Sequence, residues 1–165
     1  MSLSALPLCF LACYNREGRG FIMIRVYLDN CCFNRPYDEQ HHLKVRLETQ
    51  AKLSIQQMII DNDLELVVSY VLEQENDDNP YAERKMVIDD FFKYAVLDID
   101  ETQEIIDIAE EAMQSGLKVN DSLHFACAVA GKCDYLLTTD KRFLKHTTDK
   151  VHIMNPAQFI IETEG

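Results

Sequence analysis

From Met23 onward the apolar positions switch repeatedly between a strand period and a helix period. "MIRVYLD" (23–29) is a short β-branched and apolar run that ends on an acid, which predicts a central strand. Beyond Pro36, Leu43, Leu47, Ala51, Ile55, Met58 and Ile59 recur at helical spacing, with Asp38 placed as the cap. "DNDLELVVSY" reads as a turn and a second strand ending near Ser69, and "VLEQEN" as a helical turn. Pro80 opens a helix carrying Met86, Ile88, Phe91 and Phe92. "AVLDI" (95–99) is a third strand, and the helix after it, through Ile105, Ile108, Ala109 and Ala112, stops at Gly116. "NDSLHFACAVAG" (120–131) starts with capping residues and is apolar nearly all round, so it predicts a buried helix. "CDYLLTT" is a fourth strand, "DKRFLKH" a short helix, "VHIMN" a last strand and "PAQFIIE" a terminal helix opened by Pro156.

This alternation predicts an α/β fold: a mostly parallel sheet covered by helices on both faces, in one domain over residues 23–165. Residues 1–22 stand apart as an N-terminal extension, expected to be disordered or loosely docked. Its apolar run "ALPLCFLACY" lacks a positively charged leader and is too short to span a bilayer. Export is the alternative for this segment, and the expectation for the chain is a cytoplasmic protein without a membrane span.

Charge narrows the functional classes. Sixteen Lys and Arg stand against twenty-eight Asp and Glu, a formal net charge of −12. Such a surface repels polyphosphate at long range, so any nucleic-acid contact has to come from a local basic patch. The six cysteines (9, 13, 31, 32, 127 and 133) show no C-x-x-C spacing and no zinc pattern with His pairs, which favours reduced thiols acting as small hydrophobes.

In parallel α/β sheets, ligands collect beyond the carboxyl ends of the strands. Asp29 closes the first strand and Asp140 the fourth, Glu73 and Glu75 follow the second strand, and Asp121 opens the buried helix. Singly, each has a structural explanation as a turn residue, a helix cap or a solvated face. As a set facing one edge they would repel one another unless a cation offset the charge. Mg²⁺ or Mn²⁺ suits such oxygen donors, and either ion activates water for phosphodiester cleavage. Asn30, Ser69, Thr138 and Thr139 are placed to hold the carboxylates by hydrogen bonds. Lys141 and Arg142, in "DKRFLKH" with Lys145 and His146, would meet a substrate phosphate.

"YLDNCCFNRP", "SYVLEQEN", "NDSLHFACAVAG" and "LLTTDKRF" together resemble the PIN domain family, and more closely its VapC-like branch of ribonuclease toxins. The resemblance spans Met23 to about Pro156. It implies a three-layer α/β/α sandwich and a catalytic, metal-binding set of Asp29, Glu75, Asp121 and Asp140, with Glu73 as the alternative to Glu75. Residues two apart on a helix point in different directions, so one of the two glutamates faces the site. Six residues separate Ser69 from Glu75, the separation usual in the family. Where the family commonly carries Ser or Thr, two residues after the first Asp, this chain has Cys31. The resemblance further implies an endoribonuclease dependent on Mg²⁺ or Mn²⁺, an RNA substrate, a small antitoxin partner and a homodimer. Two competing readings remain. One is an aspartyl-phosphate phosphatase with Asp29 as nucleophile, which Cys31 disfavours because it occupies the place of the proton-donating Asp. The other is a PIN scaffold that binds RNA or protein without cutting.

Overall fold

The computed structural model describes residues 23–164. Expectations for residues 1–22 lie outside the described residues.

Five strands form one sheet: β1 (Arg25–Leu28), β2 (Glu65–Ser69), β3 (Leu97–Ile99), β4 (Tyr135–Leu137) and β5 (His152–Met154). Their order is β3-β2-β1-β4-β5 and every pairing is parallel, a step beyond the mostly parallel sheet expected from the pattern. The chain builds outward from β1 to β3, then returns to place β4 on the other side of β1. That reversal makes a topological switch point at the carboxyl ends of β1 and β4. Val26, Tyr27 and Leu28 of β1, Leu66 and Val67 of β2, and Leu136 and Leu137 of β4 are fully buried, as a sheet covered on both faces requires.

Seven helices complete the three layers among the described residues: α1 (Asn30–Asn34), α2 (Leu43–Ile60), α3 (Tyr70–Asp77), α4 (Ala82–Phe92), α5 (Gln103–Gln114), α6 (Val119–Ala130) and α7 (Pro156–Glu164). Helix α2 packs against α7, and α5 against α6. The hydroxyls of Ser69 and Thr102 cap α3 and α5 by accepting the N–H groups of Leu72 and Ile105. Gly131 ends α6 so close to β2 that a Cβ there would lie 2.8 Å from Val67 Cγ1.

Three expectations fail locally, each for a physical reason. Asp38 does not cap α2, which begins at Leu43 after His42. Pro36 instead favours a 3-10 turn over Arg35–Tyr37, and Asp38 closes that turn while its carboxylate takes the Arg35 guanidinium at 2.8 Å. The apolar stripe on α2 is also rotated at its start. Leu43 and Leu47 face solvent, whereas Glu48 and Lys52 are buried beside Ala51, Ile55 and Ile59. Glu48 pairs with Arg35 and accepts from Asn155, and Lys52 lies over the Phe33 ring at 5.6 Å. Finally, "DKRFLKH" forms only a 3-10 turn, Phe143–Lys145. The Asp140 carboxylate accepts the N–H groups of Arg142 and Phe143, and the segment is too short to propagate a helix.

Candidate active site

Asp29 occupies the N-cap position of α1, yet its carboxylate makes no capping bond. Its Oδ2 accepts the Thr138 hydroxyl at 2.8 Å and the Cys31 thiol at 3.1 Å. Cys31 therefore fills the role of the missing hydroxyl, and its sulfur also accepts the Thr139 N–H at 3.3 Å. The backbone completes the join: Asp29 N–H donates to Leu137 O at 2.9 Å, fixing the end of β1 to the end of β4. This carboxylate is buried and held, not solvated punctuation.

Glu75 reaches the same place from α3. Its Oε1 accepts the Asn120 amide at 3.2 Å, and its Oε2 lies 2.9 Å from His124 Nε2. Glu73, two residues earlier, points elsewhere, toward Asp98 and Asp100; burial and those acids push its carboxyl pKa up. Asp121 lies in the first turn of α6, where the helix dipole favours an anion, but neither it nor Asn120 caps the helix. Burial raises the Asp121 pKa, and the charges of Asp29 and Asp140 raise it further against the pull of Lys118 and His124.

Asp29, Glu75, Asp121 and Asp140 line one cleft of about 490 Å³ at the switch point, together with Asn30, Cys31, Asn34, Arg35, Asp38, Lys118, Asn120 and His124. Within it the donors are unevenly spaced. Ligand atoms of Asp29, Glu75 and His124 all fall within 4.8 Å of one another, a tight three-residue cluster that does not include Asp121 or Asp140.

His124 is the residue that motif reading missed. It is buried in α6, one turn beyond Asp121, with Nε2 at 2.9 Å from Glu75 Oε2 and 3.5 Å from Asp29 Oδ1. Its Nδ1 meets the Tyr27 hydroxyl at 2.7 Å, and that hydroxyl meets Ser69 Oγ at 2.7 Å. Burial would lower the His124 pKa, but the Glu75 and Asp29 carboxylates outweigh it and leave it raised. The available signal was a lone polar ring in an otherwise apolar helix at i+3 from Asp121, which sets both on one face.

The remaining supporting residues divide. Thr138 holds Asp29 directly, and Thr139 contributes its backbone N–H. Ser69 touches none of the four acids; it acts through Tyr27 and His124. Asn30 lines the cleft, but its side chain accepts from Asn34. Lys141 and Arg142 are exposed and do not line the cleft; the Asp140 turn carries them outward. The cations that the fold brings to this wall are Arg35 and Lys118.

The PIN domain family model matches residues 26–148 of the chain. The chain belongs to the PIN domain family. Solved PIN-like structures share its fold at low identity. FitAcB from Neisseria gonorrhoeae aligns with a TM-score of 0.53 and 14% identity, covering 79% of this chain and 97% of that one. VapBC2 from Rickettsia felis, bound to a DNA fragment from their promoter, gives 0.52 and 16%, covering 80% and 98%. DNA-bound VapBC from Salmonella typhimurium gives 0.51 and 15%, covering 81% and 99%. No curated protein matches the chain. In this PIN domain, among the described residues, no helix is long and apolar enough to cross a membrane.

Proposed function

We propose that this PIN domain is an endoribonuclease that uses Mg²⁺ or Mn²⁺ and serves as the toxin of a toxin–antitoxin pair. One observation carries the reading: Asp29, Glu75, Asp121 and Asp140, from four separate segments, line a single cleft at the carboxyl edge of the sheet. PIN domains are generally nucleases, which supports hydrolysis of a phosphodiester. The donor set fits a divalent ion, because the carboxylates outnumber the cations facing them, and burial together with the charges of Asp29 and Asp140 raises the Asp121 pKa. Asp29 and Glu75 would hold the ion, with Asp121 and Asp140 reaching it directly or through water. When bound, such an ion lowers the pKa of a coordinated water and offsets charge on the phosphate oxygens.

The chain's own groups position the reaction. Thr138 and Cys31 fix the Asp29 carboxylate, and the 142 and 143 N–H groups fix that of Asp140. Lys118 offers positive charge to the RNA backbone in a protein that otherwise repels it, whereas the Arg35 guanidinium on the same wall is already paired with Asp38 and Glu48. The structural neighbours come from VapBC and FitAcB assemblies, which supports an antitoxin partner. Exposed Met86, Val87, Tyr94 and Val96 support a homodimer. Cleavage of single-stranded RNA by purified protein with Mn²⁺, absent in EDTA and in Asp29→Asn, is the expected result. Full activity of Asp29→Asn would refute this mechanism.

The reading of a scaffold that binds RNA or protein without cutting gains from one feature: His124 already lies between Asp29 and Glu75 as the chain's own counter-charge. Calorimetry separates the two, since a scaffold takes up no stoichiometric Mn²⁺.

A further inference from the structure

We propose that His124 Nε2 is itself a ligand of the divalent ion, which makes the centre a mixed carboxylate–imidazole site that prefers Mn²⁺ or a later first-row ion to Mg²⁺. The inference rests on the metal-centre reading above and adds to it both a ligand and a selectivity.

Geometry is the first support. Two donors at right angles on one ion, with bonds of about 2.1 Å, lie about 3 Å apart. His124 Nε2 is 2.9 Å from Glu75 Oε2 and 3.5 Å from Asp29 Oδ1. These are the separations of neighbouring ligands on one centre. Asp121 and Asp140, by contrast, fall outside the 4.8 Å cluster.

The back of the ring is the second support. A ligating histidine normally gives its other N–H to an acceptor that fixes its tautomer and orientation. Here that partner is Tyr27 Oη, 2.7 Å from Nδ1, which in turn meets Ser69 Oγ at 2.7 Å. Tyr27 and Ser69 are both fully buried, so the chain is shielded from water. A hydroxyl both donates and accepts. With Nδ1–H donating to Tyr27 and Tyr27 donating to Ser69, the Nε2 lone pair faces Asp29 and Glu75, and a divalent ion between them satisfies all three. With the hydroxyls reversed, Nε2–H donates to Glu75 instead. The same architecture thus accommodates the ion-free state and the loaded one.

Selectivity follows from donor chemistry. Imidazole suits later first-row ions, whereas Mg²⁺ takes oxygen ligands and keeps its waters. One nitrogen among carboxylates therefore tilts the site away from Mg²⁺.

The test is Mn²⁺ and Mg²⁺ binding by calorimetry together with pulsed electron paramagnetic resonance of bound Mn²⁺, on the full chain. An exposed group, Glu39 with His41 and His42, is a second place where Mn²⁺ could meet nitrogen, so a His41→Ala/His42→Ala background is included. The expected result is a directly coordinated nitrogen coupling that survives in that background. It should change with nitrogen-15-labelled histidine and vanish in Asp29→Asn. His124→Gln should lose the coupling and reduce the Mn²⁺/Mg²⁺ affinity ratio by about tenfold or more. The isotope and Asp29→Asn measurements decide the matter even if His124→Gln fails to fold. Mn²⁺ bound in an Asp29-dependent manner without nitrogen coupling overturns the inference and leaves the nuclease reading standing. Coupling that disappears with His41 and His42 overturns it as well. No Asp29-dependent Mn²⁺ binding at all removes the metal-centre reading and this inference together.

Discussion

Lys52 is a charge in the wrong place, and replacing it should stabilise the protein. It is 5% exposed on α2, and among the described residues its ammonium has no hydrogen bond or ion pair; its neighbour is the Phe33 ring at 5.6 Å. Burial pulls its pKa from the ordinary 10.5 down to about 8. A drop of about 2.5 pH units, at about 1.4 kcal/mol per unit, is a cost of about 3 kcal/mol for keeping the lysine charged in the fold. Lys52→Met preserves the apolar stem and removes the charge. The lost cation–π contact gives back about 0.5–2 kcal/mol, so the expected net gain at pH 7 is about 1–2 kcal/mol. The pH dependence carries the sign. Below pH 8 both states hold the proton and the full cost is present. Between about 8 and 10.5 the unfolded chain binds more protons than the folded one, so wild-type stability gains relative to the variant as pH rises. Urea unfolding of both proteins at pH 7 and pH 10 should show the advantage of Lys52→Met shrinking with pH; groups common to both cancel in the difference. A variant less stable at pH 7, or an advantage that grows toward pH 10, would show that the buried ammonium carries no such cost.

Glu48→Ala leaves Arg35 with Asp38 alone and the Asn155 amide without its acceptor, and should cost about 1–3 kcal/mol by denaturant unfolding, whereas a surface ion pair would cost under about 1. Asp121→Asn removes a carboxyl raised by burial and by Asp29 and Asp140. Without metal at neutral pH, its melting temperature should rise by about 1–2 °C while Mn²⁺ affinity falls. The stabilisation should fade as pH drops through the raised Asp121 pKa, because wild type then neutralises the same group. Gly131→Ala forces a Cβ to 2.8 Å from Val67 Cγ1 and should destabilise by about 1–3 kcal/mol, read as a lower urea midpoint. Cys31→Ser puts a better donor on Asp29 Oδ2 and should tighten Mn²⁺ binding in the same calorimetric assay.

The strands and the four acids were legible because each depends on local pattern: an apolar run, then a carboxylate at its end. The Glu73/Glu75 alternative was legible only as a pair, since their two directions become visible once Asp98 and His124 have fixed places. What the pattern hid depends on contacts far apart in the chain. Tyr27 looked like any aromatic strand residue, and its role comes from a histidine 97 positions later. Glu48 and Lys52 looked like the polar side of α2, because Arg35, Asn155 and Phe33 reverse that face from outside the helix. Lys141 and Arg142 looked like phosphate ligands by proximity to Asp140. The turn made by that same aspartate sends them away; the cations on the wall are Arg35, from the end of the first acidic motif, and Lys118, from just before the buried helix.

Arg35 also ties two distant parts of the polypeptide into one mechanical unit. Its guanidinium grips Glu48, and Glu48 is gripped in turn by Asn155, at the point where the chain leaves its last strand. The segment from β5 into α7 is therefore a tie-rod for the mouth of the cleft, although no residue of it enters the cleft. Shortening the chain from its end, or fusing a bulky tag close behind α7, will slacken that mouth while all four acids stay in place.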